Sequence, residues 1–105
     1  MADASTIETA AHMLLRAAPG SKVILFGSHA RGTLQHESDL DFLVVEPKLT
    51  DRHGEMVRLR QVLRPLRIPV DVLVVSAEVF EQWRDTPNTV IHDAAREGKV
   101  YDEVA

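Results

Sequence analysis

The sequence predicts an α/β (α+β) fold, a small mixed β-sheet flanked by helices, and three observations predict it. Short β-branched runs at residues 22–26, 40–45 and 69–75 alternate with segments whose apolar residues recur at helical spacing. One such helical segment, residues 51–64, lies between two of the apolar runs, which implies a crossover between neighbouring strands. With 105 residues and no internal repeat, low-complexity tract or linker, the chain is expected to be one domain, residues 1–105.

The elements follow in order. Ser5-Thr6-Ile7-Glu8 has the capping-box pattern, and Ile7, Ala10, Ala11, Leu14, Leu15 and Ala18 then recur at helical spacing until Pro19-Gly20, so a helix is expected over residues 5–18. Lys22-Val23-Ile24-Leu25-Phe26 suits a buried strand. Residues 27–38 are polar and punctuated by glycine, with one or two helical turns expected over 28–34. A second strand, residues 40–45, ends at Glu46-Pro47.

In residues 51–64, Met56, Leu59 and Leu63 share one helical face, and Pro65 forces an end nearby. A third strand covers residues 69–75, and Ser76-Ala77-Glu78 opens a helix to about Arg84. Asn88 is the expected cap of a last helix over 89–97, which Gly98 ends before a short edge strand at Lys99-Val100-Tyr101.

Composition narrows the function classes. The hydrophobic fraction of 45% with 27% charged residues is that of a soluble globular protein, and no apolar run approaches the roughly 18 residues that span a bilayer. Acidic residues in MADASTIETAAHML stand where a signal peptide carries Lys or Arg, so a cytoplasmic location with no membrane partner is expected. The absence of cysteine excludes disulfides, zinc-thiolate sites and thiol nucleophiles. A net charge of -4 argues against direct DNA binding, which relies on many cations neutralising phosphates.

The chemistry-bearing residues cluster in FGSHARGTLQHESDLDFLVV, residues 26–45. Gly27-Ser28 follows an apolar strand: glycine lets the backbone turn sharply and approach a ligand, and Ser28 supplies a hydroxyl and an N–H to phosphate. The same pair is also an ordinary turn. Asp39 and Asp41 lie two apart, so in a strand their carboxylates share a face roughly 6–7 Å apart while Leu40 packs on the other. Taken alone, the pair is read more simply as an Asx turn at Asp39 and a solvated Asp41.

Asp71 alters the balance, being the only charged residue from Ile68 to Val75. If the second and third strands are neighbours, it lies beside the other two acids. Three convergent carboxylates repel one another unless a cation neutralises them, and Mg2+ accepts oxygen ligands and bridges carboxylates to substrate phosphates. A phosphate-binding turn beside such a cluster suggests phosphoryl or nucleotidyl transfer with two metal ions. The five histidines show no paired helical spacing. Arg60, Arg64 and Arg67 form a basic stripe, either a solvated helix face or a surface for an acidic partner.

Gly27-Ser28-x-Ala30-Arg31-Gly32, then Ser38-Asp39-Leu40-Asp41, then the lone strand aspartate Asp71 together resemble the minimal nucleotidyltransferase family of the DNA polymerase beta superfamily. The resemblance covers most of the chain, including the closing Arg96-Glu97-Gly98-Lys99-Val100-Tyr101. It implies a polymerase-beta-type nucleotidyltransferase fold, a nucleoside triphosphate substrate, usually ATP, and two Mg2+ ions. Gly27, Ser28 and Ser38 would then lie at the nucleotide, Asp39 and Asp41 would ligate both metals, and Asp71 would ligate the catalytic metal and help activate the attacking hydroxyl. Arg31 would stand near the phosphates, or in a salt bridge with Glu37.

Minimal nucleotidyltransferases of this kind are often paired with a HEPN-domain protein. The resemblance therefore implies an antitoxin that transfers AMP from ATP to a protein hydroxyl, a tyrosine of a cognate HEPN toxin, in a hetero-oligomeric toxin–antitoxin pair. The alternative is a non-catalytic nucleotide-binding antitoxin that neutralises its partner by forming a complex. Modification of a small molecule is disfavoured, since the chain length leaves no room for an acceptor domain.

Overall fold

The computed structural model describes residues 4–27 and 40–102. Four strands form one sheet in the order β3-β2-β1-β4: β1 (Lys22–Phe26), β2 (Leu40–Glu46), β3 (Val70–Ser76) and β4 (Lys99–Asp102). β1 runs antiparallel to both β2 and β4, while β2 and β3 are parallel, so the sheet is mixed as the sequence implies. The parallel pair is joined by α2 (Arg52–Leu63) and a 3-10 turn (Arg64–Leu66), the crossover that parallel strands require.

Strand alternation divides the apolar side chains between two cores. On one face Val23, Leu25, Leu40, Phe42, Val44, Val72 and Val74 pack under α1 (Ala4–Ala17) and α2, meeting Ala10, Ala11, Leu14, Leu15, Leu59 and Leu63. On the other face Ile24, Leu43, Val45 and Val75 pack with Phe80 of α3 (Ala77–Trp83) and Ala94 of α4 (Val90–Glu97). The central strand β2 is therefore apolar on both sides except at Asp41 and Glu46. Among the described residues no helix is long and apolar enough to cross a membrane.

Local chemistry explains the helix ends. Asp51 caps α2 by accepting from the Gly54 N–H at 3.0 Å, and Ser76 caps α3 by accepting from Val79 at 3.1 Å. Pro65 lies in the 3-10 turn, and Arg67 ends that turn in the left-handed region at φ 53°. Two expected caps lie elsewhere. α1 begins at Ala4, which puts Ser5 within the helix, where its carbonyl accepts from Thr9 Oγ1 at 2.9 Å. α4 is capped by Thr89, which accepts from the His92 N–H at 3.1 Å, and Asn88 instead makes the left-handed turn at φ 66°. Asparagine tolerates that conformation better than most residues, so one residue turns the chain and the next caps the helix. Gly98 ends α4 in extended backbone, and a side chain there would collide with Ile24 Cγ2 and the Ala94 carbonyl.

Candidate active site

The parallel register of β2 and β3 pairs Asp41 with Asp71, and the antiparallel register of β1 and β2 pairs Phe26 with Asp41. Phe26, Asp41 and Asp71 thus form one row across three strands. By alternation the row lies on the face that carries Leu43, Val45 and Val75, whereas Leu40 is buried on the opposite face. Adjacent strands are about 4.8 Å apart, so two carboxylates in register and on one face face mutual repulsion that a cation relieves. Asp41 is half-buried, and the Asp71 side chain is 59% exposed, so the pair opens to solvent at the end of the sheet.

Gly27 follows Phe26 directly and takes φ +81°, a conformation that glycine adopts without strain. A Cβ at Gly27 would lie 2.5 Å from Asp41 Oδ2. The glycine therefore makes room for the carboxylate as well as for the turn.

Arg60 approaches from the other side. Leu59 and Leu63 of α2 are buried against the opposite face of the sheet, and β3 is an edge strand. Arg60, next to Leu59, reaches past that edge and places Nη2 3.8 Å from Asp71 Oδ1. An exposed pair at this distance contributes no more than about 1 kcal/mol, so its interest lies in position rather than stability. Its neighbours are otherwise engaged: Arg52 donates to the Val74 carbonyl at 2.7 Å, and Arg58 donates to both Glu55 carboxylate oxygens. The place of Arg60 beside Asp71 was not legible in the basic stripe. It follows from the burial of Leu59 against an edge strand that carries a lone acid, which the structure alone gives.

Of the residues singled out from the sequence, Gly27, Asp41 and Asp71 are brought together. Ser28, Arg31, Ser38 and Asp39 lie outside the described residues, as do the helical turns expected over 28–34 and the acid Glu37. Among the described residues no group of three His, Cys, Asp or Glu forms a metal-binding cluster. The two in-register carboxylates, oxygen donors at a point where glycine keeps a Cβ away, have the chemistry that a hard divalent cation such as Mg2+ takes. Two residues further along the same face, Leu43 and Leu73 floor an apolar groove of about 380 Å³ flanked by Val79, Trp83 and Val90. Arg52 also lines this groove, and Trp83 and Val90 are about half exposed, so it is open to solvent.

A second group of ionisable residues lies at the far end of β2, roughly 17 Å along the strand from Asp41. Burial, the Glu55 hydrogen bond and the Glu55 charge push the Glu46 carboxyl up to about 7. The hydrogen bond from Arg58, and one with Glu46, hold Glu55 down to about 2. This pair is structural: it ties β2 to α2 and takes no part in the acid row.

The nucleotidyltransferase domain family matches residues 7–101. The chain belongs to that family. Its class of reaction is transfer of a nucleotidyl group, which needs a nucleotide substrate and, in enzymes of this kind, divalent metal. Solved structures share the fold of this nucleotidyltransferase. A crystal structure of a toxin–antitoxin with AMP-PNP superposes with a TM-score of 0.59 at 23% identity, covering 91% of this chain and 73% of that one. A mutant of the toxin–antitoxin MntA-HpeT gives a TM-score of 0.58 at 21% identity with the same coverage, 91% and 73%. No curated protein matches the sequence.

Proposed function

We propose that this nucleotidyltransferase transfers AMP from ATP, with Mg2+, to a protein hydroxyl, a tyrosine of a cognate HEPN toxin, and acts as the antitoxin of that pair. The observation that carries the catalytic part is the in-register pair Asp41 and Asp71 beside a glycine that gives Asp41 room. The partner part is supported by the two fold neighbours, both toxin–antitoxin structures, one of them with AMP-PNP. The reading takes residues 1–105 as one minimal nucleotidyltransferase domain.

In this reading Gly27, Ser28, Arg31 and Ser38 receive the triphosphate. Asp39 and Asp41 would hold both metal ions, and Asp71 would hold one of them. When bound, the ions neutralise the carboxylates and the charge that develops on the phosphates. The acceptor oxygen attacks the α-phosphorus, the bond from that phosphorus to the bridging oxygen of pyrophosphate breaks, and pyrophosphate leaves with the electron pair. The hydroxyl proton passes toward the Asp71 carboxylate, and the product is a phosphodiester between AMP and the acceptor. Residues of this chain contribute positioning and electrostatics, the main terms in such transfers.

The test is incubation of the purified chain and its partner with Mg2+ and ATP radiolabelled on the α-phosphate. Label on the partner that disappears with Asp71→Asn supports the proposal. Label that persists without Asp71 would overturn the role given to that carboxylate, whereas neutralisation of the partner by an Asp71→Asn variant that transfers nothing would replace the proposal with the non-catalytic binding reading.

A further inference from the structure

The acid row has two unlike ends. Gly27 stands at the β1 end, and Arg60 stands at the β3 end, 3.8 Å from Asp71. From Met56 to Val70 the sequence holds four arginines and no carboxylate. Arg58 is engaged by both oxygens of Glu55 and by the Ala17 carbonyl. Arg60, Arg64 and Arg67 remain exposed. Arg67 turns the chain toward Pro69, whose carbonyl accepts from the Leu40 N–H at 3.0 Å, so the arginine run enters the sheet at the end that carries Asp41 and Asp71. In a chain of net charge -4 this is a local cationic rim.

We infer that this rim docks an acidic segment of the acceptor protein, with carboxylates flanking the hydroxyl that receives the nucleotidyl group. The inference rests on the protein-directed transfer proposed above. In such a transfer the attacking and leaving oxygens lie roughly in line on opposite sides of phosphorus. With the triphosphate at the glycine end, the acceptor approaches from the Arg60 end. Guanidinium groups match carboxylates through paired donors, and charges at the rim of an interface govern encounter rate and salt sensitivity. A triphosphate could use the same cations, but Arg60 lies on the β3 side, with β2 between it and β1, which leads into Gly27, and Arg64 and Arg67 follow it in the connection to β3.

The experiment uses the full chain without nucleotide and three fluorescein-labelled peptides: a central tyrosine flanked by glutamates, by glutamines or by lysines. Anisotropy titrations at low salt should show the glutamate peptide binding at least about tenfold tighter than the glutamine peptide. That preference should vanish in about 1 M salt, where the screening length is about 3 Å. Arg64→Glu with Arg67→Glu should abolish it and favour the lysine peptide, with affinity for ATP unchanged. If charge reversal unfolds the chain, Arg64→Gln with Arg67→Gln carries the same test. Equal binding of the acidic and neutral peptides, or a preference that survives both sets of substitutions, overturns the inference. So does loss of ATP binding with peptide preference intact, which would assign the rim to the triphosphate. Because the peptides are read without turnover, failure here leaves AMP transfer standing, whereas absent AMP transfer with intact peptide preference counts against the proposed reaction alone.

Discussion

Gly27 and Asp41 occupy one space: the position of a Cβ on Gly27 is 2.5 Å from Asp41 Oδ2. With φ at +81°, a side chain at residue 27 also strains the backbone. Gly27→Ala is therefore expected to destabilise the fold by about 1–3 kcal/mol and to displace the Asp41 carboxylate. Thermal denaturation reads the first effect, and Mn2+ binding followed by electron paramagnetic resonance reads the second. Unchanged Mn2+ affinity would show that the carboxylate keeps its place.

Asp41 and Asp71 repel across the β2–β3 register when no cation lies between them. Asp71→Asn is expected to leave the melting temperature in EDTA unchanged or slightly higher, to cancel the rise that Mg2+ gives the wild-type chain, and to lower AMP transfer at least about a hundredfold. A variant that keeps its Mg2+-dependent rise would place the cation away from this residue.

Leu59 and Leu63 are fully buried and hold α2 against the sheet beside Arg60. Leu59→Ala should cost about 2–5 kcal/mol by denaturant unfolding, the range for emptying a packed leucine site. A loss below 1 kcal/mol would mean that α2 collapses onto the space without difficulty, and the place of Arg60 would then be loosely set.

The Glu46 and Glu55 pair gives stability a pH dependence that is independent of the acid row. Glu46 rises from its ordinary 4.5 to about 7 in the folded state, so the folded chain binds more protons between those values and loses stability as pH increases through that window. Glu55 falls from 4.5 to about 2, so its contribution is present above 4.5 and is lost as pH drops toward 2. For these two groups stability, read as the melting temperature, should be greatest near pH 4.5 and fall from there toward pH 7, and Glu46→Gln, which cannot lose a proton, should flatten that alkaline side. A profile that rises from pH 5 to pH 8 in the wild type would contradict the assignment of the shared proton.

Much of this architecture was legible in the residues. Strand and helix periodicity place the elements within a residue or two, and the helix between two apolar strands makes those strands parallel neighbours, which is what brings Asp71 to Asp41. The register that pairs them was not legible, because it depends on how many residues α2, the 3-10 turn and residues 67–69 take up together. Nor was the reach of Arg60, which comes from an edge strand and a helix packed on the opposite face. At Asn88-Thr89 two residues could each cap a helix, and only the backbone conformation decides between them. Ser28, Arg31, Ser38 and Asp39 lie outside the described residues, and their part in the site is read from the sequence.

The central claim is covalent transfer by the acid row, and the intact mass of the partner protein tests it most directly. After co-expression with the wild-type chain, the partner should carry one or more AMP units, and after co-expression with Asp41→Asn it should carry none. A partner of unmodified mass that is nonetheless neutralised by both chains would contradict the account.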